Sequence, residues 1–403
     1  MRTPLAGTTA ILAATLAHAP LGSAAIASPI PVTSPVAEIP FELLGDHIVL
    51  EATVNGVAGR LILDTGSSVS SLDAEWAQSA AGVAARGAGR AQGSADVQIS
   101  IGQAASIRVG PLEMRDVNVA LVPLGPVSRA HGSYVRGTLG FDFIRKYVME
   151  IDYPARRLRL YEPVGYEYGG HGVQVPVTLD LRIPMVRATV TPSGAAPISA
   201  RLLLDLGSGG LAVRLSAPFV AEHDLLAVTG GITAPIGTGV GGTMVGRIAR
   251  LGALDVGGLH VSQPTVGLAE RREGFFGSTM SDGTVGAPVF RRTKMILDYA
   301  RSRVIFEAAP GFDAPYEVEM SGMRLGATPG QPVTVDYVIA ASPAERAGVA
   351  AGDTLLAVDG RPARSGDLER IREMFRVDGK QVRLSLRRGT APREVTLTTR
   401  RML

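Results

Sequence analysis

The chain has 403 residues, 46% of them hydrophobic and 19% charged, with a net charge of +3 and no cysteine. That length implies two to four domains, and the apolar fraction excludes a largely disordered chain. The lack of cysteine excludes disulfides, thiol catalysis and thiolate metal sites, and arginines dispersed without interleaved aromatics argue against nucleic acid as a partner.

In chain order, Arg2 precedes an uncharged stretch over residues 8–27, followed by Ser28, Pro29, Ile30 and Pro31. This reads as a signal peptide over 1–27 cleaved after Ala27, with export to a periplasm or the medium; an uncleaved anchor is the alternative. No later segment is long and apolar enough to span a bilayer as a helix. With 49 Gly and 26 Pro punctuating short runs of Val, Thr and Leu, the rest reads as mostly β. Alternation over 97–101, 117–122 and 248–254 predicts half-buried antiparallel strands. Short helices are expected over 73–81 and 288–292, with Trp76, the only tryptophan, as a packing residue.

Self-comparison is more informative. Arg60, Leu61, Ile62, Leu63, Asp64, Thr65, Gly66 and Ser67 return as Arg201, Leu202, Leu203, Leu204, Asp205, Leu206, Gly207 and Ser208, 141 positions later. Gly137-Thr-Leu139-Gly140, Asp152-Tyr153 and Arg157 return 146 positions later as Gly283-Thr-Val285-Gly286, Asp298-Tyr299 and Arg303. Matched order and spacing imply a duplicated β-domain. In each copy an apolar strand ends in Asp and turns at once through Gly, which sets a carboxylate at the floor of a groove. Pairing the copies would bring Asp64 and Asp205 together, and two adjacent carboxyls share one proton because both cannot ionise cheaply. Such a pair can activate water for attack on a peptide carbonyl without metal or cofactor.

The segment Ile62–Ser67, with the apolar-Gly pairs Leu139-Gly140 and Val285-Gly286, resembles the aspartic peptidases of the pepsin and retropepsin superfamily over roughly residues 40–308. The resemblance implies two pseudo-symmetric retropepsin-like β-lobes, 39–163 and 164–308, forming a pepsin-like bilobal unit. It makes Asp64 and Asp205 catalytic and sets Leu139, Gly140, Val285 and Gly286 across the Asp loops. Ser67 and Ser208 are expected to hydrogen-bond the outer carboxylate oxygens, with Thr65, Gly66 and Gly207 as further supports of the dyad. Leu206 departs from the family's Thr and cannot supply its half of a reciprocal grip between the loops. Gly-rich segments at 87–93 and 237–242 match the hairpin that closes over substrate.

The six histidines show no paired spacing, so no metal is expected, and no Gly-x-Ser-x-Gly elbow occurs. Asp142, Asp152 and Asp298 read as strand-end or cap residues. Beyond a linker at 309–316, the pattern Ser342-Pro343-Ala344, Ala347-Gly348, Gly352-Asp353 and Val358-Asp359-Gly360 resembles a bacterial PDZ domain over 317–403. That resemblance implies an α+β unit taking peptide segments or C-termini by strand addition, beside a loop at Gly322, Met323, Arg324 and Leu325. The leading expectation is an aspartic endopeptidase acting on polypeptide. Two alternatives stay open: an exported peptide-binding protein with a degenerate dyad, and a homodimeric peptidase using Asp64 from two chains.

Overall fold

Short apolar runs broken by Gly and Pro fold into four sheets in the computed structural model, which describes residues 34–403. The expected signal peptide lies outside the described residues. Within them, no helix is long and apolar enough to cross a membrane.

The two halves repeat one ladder. In the first, strand Val57–Leu63 runs parallel to Gly137–Leu139, with Leu61 opposite Gly137 and Leu63 opposite Leu139. In the second, strand Ile198–Asp205 runs parallel to Gly283–Gly286, with Leu202 opposite Gly283 and Leu204 opposite Val285. The sequence blocks offset by 141 and 146 positions therefore become equivalent strand pairs at the centre of two eight-stranded sheets.

A six-stranded sheet joins the halves. Val148–Asp152 pairs antiparallel with Thr293–Asp298, and these repeat-related strands form its seam. Ala37–Pro40 and Arg157–Tyr161 extend it on one side, Arg303–Ala308 and Val173–Pro176 on the other. One hydrophobic core runs through both halves, including Leu63, Leu139, Met149, Leu204, Val285 and Leu297, all fully buried. Each such side chain contributes about 1.5–3 kcal/mol, so the Asp loops hang from rigid, dry strands.

The C-terminal sheet orders Met323–Gly326, Val333–Val338, Thr354–Val358, Gln381–Arg388 and Ala391–Thr398, and it has a separate core around Leu325, Leu355, Leu368 and Phe375. The chain is thus mostly β with an α+β unit at its end. The expected helices are found, shortened, at Ala74–Ser79 and Ala287–Phe290. Asp73 caps the first by accepting from Trp76 N at 3.0 Å, and Trp76 is buried against Gly59. Helix Gly125–His131, unforeseen, ends at Gly132 in a left-handed conformation (φ 63°). Its short run of small and basic residues carries no helical periodicity to read.

Candidate active site

Each Asp loop is built by the turn that ends its strand. Asp64 N donates to Leu139 O at 3.0 Å, Gly66 N donates to Asp64 Oδ1 at 2.8 Å, and Ser67 Oγ donates to Asp64 Oδ2 at 2.7 Å. In the second loop Gly207 N donates to Asp205 Oδ1 at 2.9 Å. Both glycines are required by space. A Cβ on Gly66 would lie 2.7 Å from Asp205 Oδ1, and one on Gly207 would collide with Asp64 Oδ1. Each loop thus backs the carboxyl of the other, setting the two carboxyls side by side. Burial, and then the charge of Asp64, hold Asp205 well above the ordinary carboxylate range, against the opposing pull of Arg214 and the Gly207 N–H.

The apolar-Gly pairs cross these loops as expected. Phe141 N donates to Ser67 O at 2.9 Å, and Ala287 N to Ser208 O at 2.8 Å. A Cβ on Gly140 would fall 2.7 Å from Ser67 O, so Leu139 and Val285 fill the core while their glycines admit the loops.

The grip between the loops is one-sided. Thr65 Oγ1 donates to Leu204 O at 2.7 Å and accepts from Leu206 N at 2.9 Å. Leu206 returns nothing: its side chain is buried in the core, and the Thr65 N–H has no hydrogen-bond partner among the described residues.

Ser208 corrects the sequence reading, because its hydroxyl does not reach Asp205. It accepts from Arg214 Nη1 and lies 3.4 Å from Thr284 Oγ1. The buried Arg214 guanidinium also donates to Ile236 O at 2.6 Å and to Gly209 O. A cation surrounded by neutral acceptors draws the hydroxyl as a further ligand, and burial lowers Arg214 to about 10. Arg214 occupies the position of Ser71 in the first half: Ser71 pairs with Thr138 as Arg214 pairs with Thr284. An arginine inside the apolar run 211–215 was the available sequence signal.

A cavity of about 720 Å³ lies over the two carboxyls. Both Gly-rich hairpins line it, and their tips meet where Ser94 N donates to Val240 O at 2.7 Å; Phe275 N, from the short helix Gly274–Gly277, donates to Gly93 O at 3.0 Å. Gly322, Met323 and Arg324 line its far side. Leu325 does not; it is buried in the C-terminal core.

The edge expected to receive a peptide by strand addition is partly covered from within the chain. Ala327 N donates to Arg129 O at 2.9 Å, and Arg372 Nη2 donates to Leu325 O at 2.9 Å and Ala130 O at 2.6 Å. Beside this contact the His47 and His131 rings meet edge-on at 4.9 Å, and His131 Nδ1 lies 3.4 Å from Glu369 Oε1. His47 Nε2 lies 3.1 Å from Gly207 O. Sequence spacing gave no hint of this pairing, since the two rings are brought together only by the fold. Burial depresses His131 to about 4, against the raising effect of Glu369.

Fold and site together define a two-lobed cleft with a carboxyl pair at its floor and an α+β unit attached. Residues 50–143 match the aspartyl protease family, and residues 334–388 match the PDZ domain family. The chain is thus similar to aspartyl proteases over its first lobe and to PDZ domains over its C-terminal unit. No curated protein matches it. Among solved structures, the crystal structure of an aspartic proteinase from Irpex lacteus aligns with 69% of this chain and 98% of its own, at 14% identity and a TM-score of 0.43.

Proposed function

We propose that the chain is an aspartic endopeptidase in which Asp64 and Asp205 of one molecule form the catalytic pair. The observation that carries this reading is the mutual backing of the two Asp loops at Gly66 and Gly207. The donors are unequal: Asp64 accepts from Gly66 N and Ser67 Oγ, whereas Asp205 accepts from Gly207 N alone. Asp205, raised by burial and by its neighbour, keeps the shared proton. Asp64 then takes a proton from a water held between the carboxyls as that water attacks the peptide carbon, while Asp205 donates to the carbonyl oxygen and steadies the developing charge. Collapse of the tetrahedral species passes the proton from Asp64 to the leaving amine and returns the proton on the former carbonyl oxygen to Asp205, restoring the pair. The hairpins that meet over the cavity fit an extended chain beneath them and exclude water from it.

The homodimer reading is disfavoured because the second Asp position is filled within the chain by Asp205. Leu206 leaves the grip half made yet keeps the Thr65 bridge, which favours a working dyad over a degenerate one. Export through residues 1–27 and peptide recognition by the PDZ domain belong to the same proposal. The test is cleavage of an unfolded protein by wild type and by Asp64→Asn and Asp205→Asn variants.

A further inference from the structure

The cavity over the carboxyl pair does not end at the two lobes. Strand Met323–Gly326 of the PDZ domain alternates so that Met323 and Leu325 enter the domain core while Arg324 faces the cavity shared with Asp64 and Asp205. Arg324 is the arginine of this wall that the fold leaves without a partner. Its guanidinium makes no hydrogen bond or ion pair with any described residue. Its neighbours are all engaged: Arg372 with Glu369 at 2.6 Å, Arg376 with Glu373 at 2.9 Å, and Arg214 with Ile236 O at 2.6 Å.

The carboxyls nearby attract it without forming an ion pair with it. Glu369 is held by Arg372 and His131, and Asp336 by Arg129 at 2.6 Å. Glu319 takes the Ser321 hydroxyl, and burial pushes its carboxyl up, towards the neutral form in acid. Arg324 itself is drawn down by burial to about 10, so it stays charged from acidic to neutral pH. A half-buried cation that forms no ion pair within the chain gains from a bound anion.

We propose that Arg324 is a carboxylate-binding subsite of the cleft. A segment laid across the dyad places a carboxylate, from its own C-terminus or from an Asp or Glu side chain, against Arg324 on the PDZ side of the scissile bond. The guanidinium fork matches two carboxylate oxygens. Because Leu325 and Ala327 are already engaged by Arg372 and Arg129, this carboxylate arrives through the cleft and not by strand addition. The inference rests on the peptidase reading and adds to it a preference for where cleavage falls.

The experiment is a set of quenched-fluorescence peptides sharing one cleavable core. One peptide ends in a free carboxylate, one in its amide, and a further pair, both amidated, carries Glu or Gln at a single position on the PDZ side. In wild type, kcat/KM for a carboxylate peptide exceeds that of its neutral partner about tenfold, chiefly through KM, the size expected of one charge-assisted contact. Arg324→Gln reduces the ratio to within about twofold, and Arg324→Lys, which keeps the charge, retains part of it. An effect confined to the acid/amide pair assigns the C-terminus, and one confined to Glu/Gln assigns a side chain. Equal rates across both pairs in wild type overturn the subsite and leave the peptidase reading intact. If no peptide is cleaved, the peptidase reading fails instead. Fluorescence anisotropy with the Asp64→Asn protein then decides the subsite alone: tighter binding of the carboxylate peptides supports it, and equal binding overturns it.

Discussion

His131 makes the contact between the first lobe and the PDZ domain sensitive to acid. It is buried with only 12% of its side chain exposed, against His47, Glu369 and the Arg372 guanidinium that grips Glu369. Burial lowers it from the ordinary 6.5 to about 4. The folded state therefore favours the neutral ring, so this contribution is complete above pH 6.5 and is lost as pH falls towards 4. At about 1.36 kcal/mol per pH unit, that gap corresponds to about 3 kcal/mol. Glu369 is lowered in the same sense, from 4.5 to about 2, and its contribution is lost as pH falls below 4.5, outside the range from pH 7 to 4.5. The expected result is that urea unfolding, followed by circular dichroism from pH 7 to 4.5, loses most of that 3 kcal/mol in wild type beyond the loss in His131→Gln. Parallel pH slopes for the two proteins would refute the reasoning.

Three other outcomes follow from the loops. Thr65→Val removes the bridge and leaves Leu204 C=O and Leu206 N–H buried without partners, costing about 2–4 kcal/mol in denaturant unfolding. Ser67→Ala removes a donor to Asp64 and lowers kcat/KM about tenfold, whereas Ser208→Ala, whose hydroxyl serves Arg214, changes it little in the same assay. Arg214→Gln removes a cation that pulls Asp205 down, so Asp205 rises further; since the mechanism needs it protonated, the alkaline limb of the pH–rate profile moves to higher pH.

What was legible in the sequence was whatever the duplication wrote twice. Asp64 and Asp205, their glycines, and the strands at Gly137 and Gly283 follow from matched spacing, because equivalent blocks must build equivalent ladders. Ser208 was misread by the same logic. Its partner depends on Arg214, which breaks the symmetry where the first half has Ser71. The PDZ signature predicted the C-terminal domain, but its covered edge depends on Arg129, Ala130 and His131, far away in sequence and in a helix without periodicity. Arg324 was picked out as part of a loop, but its lack of a partner is a property of the packed cavity and not of any local pattern.

The central claim is that Asp64 and Asp205 of one chain act as a pair. Its most direct test is cleavage of an unfolded protein substrate between pH 3 and 8 by wild type, Asp64→Asn and Asp205→Asn, each checked for folding by circular dichroism. The account predicts activity on the acidic side for wild type and a loss of about a thousandfold or more in both variants. Full activity in Asp205→Asn, or no cleavage by folded wild type at any pH, would contradict it.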